Sequence, residues 1–201
     1  ISYVAENGAM VIEHNKIIAI ESFDAKDVTE ILDTIDQYHL KHSVLCTATM
    51  AYVIQNDEYV NLHKKYYHKL KEIESLREVS DPVIKLNLNF EEDETNFYVN
   101  LFNEKFKGRI KAVSSGHGNL DLITQATSKA EGLKRLCAYD NINPNEVMVF
   151  GDGGNDIAML EWAHESYAME NAPDTIKAIA KYTCPSNDEQ GVLSILEKTF
   201  I

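Results

Sequence analysis

Two aspartates and an asparagine stand in a glycine-rich turn that follows a short apolar run. The stretch is MVFGDGGNDIAML, Met148 to Leu160, and it places Asp152, Asn155 and Asp156 close together. The run VMVF is typical of a parallel strand that is buried on both faces. Because open α/β sheets bind ligands outside the carboxyl ends of their strands, this turn is a candidate binding site.

Three other interpretations of the turn fail on individual residues. A dinucleotide-binding turn needs a third glycine where this chain has Asp156, whose carboxylate would repel a pyrophosphate. No Lys-Ser/Thr pair follows, as a Walker loop requires. An EF-hand loop that began at Asp152 would need an oxygen ligand at Gly154 and a glycine at Ile157.

The remaining interpretation of the turn is a site that binds a hard cation together with a phosphate. Carboxylate oxygens suit Mg²⁺, which keeps several waters and is commonly shared with a phosphate. The competing interpretation is that Asp152 only caps the following helix and that the glycines only turn the chain. Asn155, Asp156 and the apolar face of the following helix favour the metal–phosphate site.

GDGGNDIAML also resembles the fourth motif of the haloacid dehalogenase-like (HAD) phosphatases, specifically of their Cof-type branch. YVAENGAMV resembles the strand and turn that precede the cap domain of this family. TSKAEGLKRL resembles its third motif, and the segment that starts at YAMENAPD resembles its C-terminal end. The similarity covers residues 1–12 and 125–201, and the residues between agree only in the pattern of their elements.

The resemblance implies a reaction and gives residues their roles. In this family an aspartate attacks the phosphorus of a phosphomonoester, and water then hydrolyses the aspartyl-phosphate. The implied cofactor is Mg²⁺, and Asp152 would be one of its ligands. Asp156 would be a further metal-site residue that contacts the metal's ligands or reaches the metal through a water. Lys129 matches the catalytic lysine, which neutralises phosphate charge as the trigonal centre forms, and Asn155 with Lys129 would bind the phosphate. Taken alone, Lys129 would be a solvated lysine at a helix end whose dipole disfavours cations.

The family's nucleophile is missing from this sequence. It lies in Asp-x-Asp-Gly-Thr, and the second motif is a Ser or Thr before Gly-Arg; neither pattern occurs in the 201 residues. FDAKDV has its aspartates three apart, and Glu91-x-Asp93-x-Thr95 has a glutamate in the nucleophile's place. The simplest interpretation is a fragment of a longer phosphatase, and the coding sequence upstream of Ile1 would test it.

Periodicity and resemblance together predict an α/β fold. Residues 1–21 form a strand and hairpin of the core, residues 22–124 an inserted α+β cap domain of the C2 type, and residues 125–201 the C-terminal part of the core. The expected architecture is a HAD-like Rossmannoid core, incomplete at its N-terminal part, with this cap inserted. Helices are predicted over 24–40, 57–73, 92–106, 128–141, 154–163, 172–182 and 188–200.

The cap is expected to set specificity, because in this family it closes over the core. Its candidate contacts are the turn Ser114-Ser115-Gly116-His117 and the strand Cys46–Tyr52. Tyr66-Tyr67-His68 and Phe97-Tyr98 are at helical spacing and are expected to be core faces or cap surface. Trp162 is expected in the core.

Composition argues against several other classes of protein. The net charge of −13, from 32 acidic and 19 basic side chains, argues against a nucleic-acid-binding surface. No apolar run approaches the roughly 18 residues of a membrane span. Cys46, Cys137 and Cys184 have the spacing of neither a zinc ribbon nor a disulfide framework. We therefore expect a cytoplasmic monomer or weak homodimer that binds neither nucleic acid nor membrane.

Three functions stay open on the sequence alone. The first is a Mg²⁺-dependent hydrolase of a small phosphorylated metabolite, such as a sugar phosphate. The second is a phosphomutase of the same superfamily, which would return the phosphate to its substrate. The third is a non-catalytic remnant or binding module.

The 201-residue chain is expected to hydrolyse no phosphate ester, because the attacking aspartate is absent from its sequence. The measurement is release of the phenol from a generic aryl phosphate, with and without Mg²⁺. Turnover by this polypeptide that depends on Mg²⁺ would contradict the expectation.

Overall fold

Both ends of the chain form one compact unit, and the residues between them form another. A computed structural model describes residues 1–55, 60–116 and 118–201. The terminal unit comprises residues 1–15 and 128–201, and the middle unit comprises residues 16–127. The domain boundaries proposed above, at residues 21 and 124, remain predictions.

Helices alternate with single strands or short groups of strands along most of the chain. In chain order they are β1 (Tyr3–Ala5), β2 (Met10–Glu13), β3 (Lys16–Ile20), α1 (Ala25–Gln37), β4 (His42–Thr47), β5 (Ala51–Ile54), α2 (Val60–Tyr66), β6 (Leu70–Ile73), β7 (Val83–Asn89), α3 (Thr95–Lys105), β8 (Ile110–Gly116), β9 (Asn119–Thr124), α4 (Lys129–Asp140), β10 (Met148–Gly151), α5 (Ile157–Trp162), β11 (Glu165–Met169), α6 (Asp174–Lys177), β12 (Tyr182–Cys184) and α7 (Gly191–Phe200).

The middle unit is a mixed sheet with helices packed on it. Within the described residues its strand order is β6-β5-β4-β7-β9-β8, and only β5 and β6 run parallel. Apolar side chains of α1 and α3 share one buried cluster with alternate residues of the central strands. Its fully buried members include Ile31, Phe102, Leu45, Leu86 and Leu122. Alternation along β7 therefore places one face of the sheet in this core.

The terminal unit contains the parallel α/β layer that the sequence predicts. In the part of the chain that the structure describes, β10, β11 and β12 form a parallel sheet in that order. Its core includes Val149, Leu160, Ala168 and Ile176, and Trp162 packs against it half-buried. The apolar strand β10 pairs with β11 alone among the described residues, so it forms an edge of this sheet.

Two predicted helices are wrong in part. Of the helix expected over 57–73, residues 57–59 lie outside the described residues, Val60–Tyr66 is helical, and residues 70–73 instead form β6. That segment pairs in parallel with β5, and its Ile73 is buried. The helix expected over 172–182 ends at Lys177, because Tyr182–Cys184 pairs with β11 as a third parallel strand.

The aromatic clusters of the middle unit are partly exposed. Tyr98 stacks on Phe90 with ring centroids 4.2 Å apart, whereas Phe97 is 59% exposed. Tyr66, at the end of α2, is 74% exposed. Across the described residues, no helix combines the length and the apolar character needed to span a bilayer.

Two arginines form ion pairs with acidic side chains of α1. Arg109 bonds Asp27 and Glu30, with 2.7 Å between its Nη2 and Oε2 of Glu30. Arg77 contacts Asp33 and Asp36 at 2.8 and 2.7 Å. The hydrogen bond from Arg109 lowers the pKa of Glu30 below its ordinary value of 4.5.

Because the pKa of Glu30 is lower in the folded state, its ion pair stabilises the protein above the ordinary pKa. This contribution is lost as the pH falls through the lowered pKa. We expect Glu30→Gln to lower the melting temperature slightly near pH 7, and to have a smaller effect at a pH low enough to protonate Glu30 in the folded protein. Glu104→Gln, at an exposed carboxylate of α3 without an ion pair in the described residues, is the control. Equal effects of the two substitutions at both pH values would contradict this role of Arg109.

Candidate functional site

The turn after β10 folds around the carboxylate of Asp156. Its Oδ2 accepts hydrogen bonds from the backbone N–H groups of Asp152 and Gly153, at 3.0 Å each. Residues 154–156 form a short 3-10 turn that leads into α5. A Cβ on Gly151 would lie 2.6 Å from the Cβ of Asp156, so the turn closes over this side chain only if residue 151 is a glycine.

Lys129 of α4 forms an ion pair with the same carboxylate. Its Nζ donates to Oδ1 of Asp156 at 2.5 Å, and the lysine side chain is 34% exposed while that of the aspartate is 5% exposed. Lys129 is the first residue of α4, whose N-cap Ser128 accepts a hydrogen bond from the N–H of Glu131. The helix dipole disfavours an ammonium there, and Asp156 offsets this cost. An ammonium carries three hydrogens, so Lys129 can also bind an anion from solvent.

Asp152 presents an exposed carboxylate at the carboxyl end of β10. Its Oδ2 accepts a hydrogen bond of 3.1 Å from Nδ2 of Asn171, which follows β11. The described residues contain no group of three or more His, Cys, Asp or Glu side chains arranged to hold a metal. This single exposed oxygen donor fits Mg²⁺, which proteins often bind through one or two carboxylates while waters and a phosphate supply the rest.

Asn155 joins the turn to the first loop of the chain. Its Nδ2 donates to Oδ1 of Asn7 at 3.3 Å. Asn7 lies in the left-handed region with φ of 57°, and Gly8 follows with φ of 99°. A Cβ on Gly8 would lie 1.9 Å from the carbonyl oxygen of Ser128, so this loop packs directly on the start of α4.

The structure brings Lys129, Asp152 and Asp156 together through one carboxylate, and Asn155 lies in the same turn. The other sequence candidates belong to the middle segment of the chain. Ser114 is exposed and Cys46 is buried, both in the middle unit, and His117 lies outside the described residues. The sequence roles of Lys129, Asn155, Asp152 and Asp156 remain predictions.

Two asparagines of this cluster, Asn7 and Asn171, received no role from the sequence. Both lie in stretches that resemble the family, AENGAMV and MENAPD, and this resemblance could have identified them as candidate site residues. The cysteines offer no alternative nucleophile, because all three are buried. Burial raises the pKa of the Cys137 and Cys184 thiols, which disfavours their thiolates.

Comparison with known proteins establishes the family. A family profile described as haloacid dehalogenase-like hydrolase matches residues 1–196. The chain therefore belongs to the haloacid dehalogenase-like hydrolases, as its motifs indicate. The predicted family and the predicted fold class, a HAD-like α/β core with a cap domain, are confirmed.

Individual relatives cover almost the whole chain. It is 32% identical over 204 residues to the 5-amino-6-(5-phospho-D-ribitylamino)uracil phosphatase YbjI of Escherichia coli K12, covering 98% of this chain and 74% of the relative. The crystal structure of SMU.1108c from Streptococcus mutans UA159 matches with a TM-score of 0.88 and 31% identity, covering 98% of this chain and 76% of that one. The sugar phosphatase BT4131, of HAD subclass IIB, shares the fold at a TM-score of 0.79 and 21% identity, covering 98% of this chain and 75% of its own.

Removing the carboxylate of Asp156 should destabilise the terminal unit. We expect Asp156→Ala to lower the free energy of unfolding by about 2 kcal/mol, because two backbone N–H groups and Lys129 lose a buried acceptor. Trp162, the single tryptophan, lies in this unit, so its fluorescence during urea unfolding is the measurement.

Asp152→Ala is the control for this experiment. Its carboxylate is exposed, so we expect a change within about 0.5 kcal/mol. Indistinguishable unfolding curves for the two variants would show that Asp156 does not anchor the turn.

Proposed function

We propose that this chain provides the cation- and phosphate-binding part of a Mg²⁺-dependent phosphomonoester hydrolase. One observation carries the proposal. The buried carboxylate of Asp156 holds the ammonium of Lys129 at 2.5 Å and the backbone N–H of Asp152 at 3.0 Å. A cationic group and an exposed metal-type ligand are thereby fixed near each other at the carboxyl end of a parallel strand, where α/β folds bind ligands.

The formal charges of the cluster explain why a cation is needed. Lys129 contributes one positive charge, and Asp152 and Asp156 contribute two negative charges, so these side chains carry a net charge of −1. A phosphate dianion would be repelled by that charge. Mg²⁺, when bound, supplies Lewis-acid neutralisation of the phosphate oxygens.

The chain's own residues then have distinct tasks. Lys129 stabilises negative charge on the phosphoryl oxygens, which increases as the phosphoryl group transfers. Asp156 keeps the ammonium in place, so little reorganisation is needed during the reaction. Asn155 uses one amide hydrogen on Asn7 and has a second for a phosphate oxygen.

The substrate we propose is a small phosphorylated metabolite, such as a sugar or sugar-alcohol phosphate. The E. coli relative is named for a phosphorylated ribitylaminouracil, and BT4131 is called a sugar phosphatase. Both names favour hydrolysis over phosphate return to the substrate. An assay that separates free phosphate from an isomeric ester distinguishes a phosphatase from a phosphomutase; it uses the chain together with any segment encoded upstream of Ile1.

Lys129→Ala should weaken phosphate binding. We expect orthophosphate to bind this chain measurably better with Mg²⁺ than without it, and Lys129→Ala to raise the dissociation constant about tenfold, because a charge-assisted hydrogen bond is lost. The measurement is titration of the chain with orthophosphate, followed by calorimetry or by ³¹P NMR.

Lys134→Ala is the matched control for that titration. Lys134 lies on the same helix, but its Nζ pairs with Glu131 at 2.7 Å rather than with Asp156. We expect the dissociation constant of orthophosphate to be the same for Lys134→Ala as for the parent chain. An equal loss in both variants, or binding that ignores Mg²⁺, would contradict the proposed site.

A further inference from the structure

We infer that Asn171 is a positioning residue that fixes the carboxylate of Asp152 for a divalent cation; this rests on the function proposed above. Asn171 donates from Nδ2 to Oδ2 of Asp152 at 3.1 Å. The two residues lie 19 positions apart, after neighbouring strands of the parallel sheet. The contact occupies one oxygen of Asp152, and Oδ1 accepts no hydrogen bond from the described residues, which leaves it for a cation.

The amide of Asn171 is held at both ends. Its Oδ1 accepts a hydrogen bond of 3.3 Å from the backbone N–H of Asn187. An amide has one accepting and one donating end, so a donor at Oδ1 determines that Nδ2 faces Asp152. If the amide flipped, its oxygen would face the Asp152 carboxylate and its NH₂ group would face the N–H of Asn187, and both contacts would be lost.

The backbone on either side of this amide is also fixed. Asn171 lies in a turn closed by the N–H of Ala172, which donates to the carbonyl of Met169 at 2.9 Å. Asn187 begins a 3-10 turn, in which the carboxylate of Glu189 accepts hydrogen bonds from the N–H and the hydroxyl of Ser186. The loops that follow β11 and β12 therefore both contribute to the position of Asp152, the residue that follows β10.

This arrangement affects metal affinity rather than folding. Asp152 and Asn171 are both exposed, so their hydrogen bond adds little to stability in water. A carboxylate that is already oriented loses less freedom when it binds a cation. Groups that orient a metal ligand in this way are a general determinant of metal affinity.

Asn187→Pro removes the N–H that orients Asn171 and leaves Asp152 and Asn171 in the sequence. Proline is well tolerated at the first position of a helical turn, and Ser186 before it is already extended, with ψ of 166°. Asn187→Ala keeps the N–H and is the comparison variant. Asn171→Ala deletes the positioning side chain at an exposed site, where folding is not at risk.

The probe is Mn²⁺, a hard cation that carboxylates and water bind as they bind Mg²⁺. Electron paramagnetic resonance of free Mn²⁺ gives the dissociation constant of the 201-residue chain. We expect Asn187→Pro and Asn171→Ala each to raise this constant about fivefold, while Asn187→Ala leaves it unchanged. Melting curves should coincide for all variants.

Asp152→Asn separates this inference from the function on which it rests. If Asp152→Asn weakens Mn²⁺ binding but Asn171→Ala and Asn187→Pro do not, the cation site stands and the role of Asn171 is wrong. If Asp152→Asn binds Mn²⁺ as the parent chain does, the proposed cation site is wrong, and the positioning role is overturned with it. Equal losses in Asn187→Pro and Asn187→Ala would also overturn the inference, because the backbone N–H would then not be the cause.

Discussion

The buried carboxylate of Asp156 is the interaction on which the site depends. The residue is 3% exposed, and its oxygens accept two backbone N–H groups and the ammonium of Lys129. A buried carboxylate without such donors would be strongly unfavourable, so the turn and the start of α4 are confined to one arrangement. The same carboxylate therefore organises the loop that carries Asp152 and holds the ammonium of Lys129, the group that we propose binds the phosphate.

Close backbone approaches make this arrangement possible. A Cβ on Gly132 of α4 would lie 2.4 Å from Cγ1 of Val4 and 2.9 Å from Cα of Gly8. Gly151 similarly leaves room for Asp156 under the turn. Glycines at these contacts let α4 pack against the first strand and loop of the chain. Because of that packing, residues from the two ends of the sequence meet in one unit, and Asn7 reaches Asn155.

An acidic protein can still bind an anionic substrate, because the local arrangement of charges outweighs the total. The chain carries a net charge of −13, yet Lys129 stands at the N-terminus of α4, where the helix dipole also favours anions. In the function proposed above, a cation bound at Asp152 would reverse the local sign of the charge. The acidic surface elsewhere is used structurally, for example where Arg109 and Arg77 bind the carboxylates of α1.

By itself, the sequence determined the family, the strand–turn–helix at 148–160 and a lysine at the start of a helix, because these depend on motifs and local periodicity. It did not determine β6 or β12, since such short segments become strands only by pairing with β5 or β11. Only the tertiary structure showed that Asp156 is buried beneath Lys129 and that Asn171 contacts Asp152. The physical reason is that these hydrogen bonds join residues far apart in the chain, and only the packing of the strands and α4 brings them within reach.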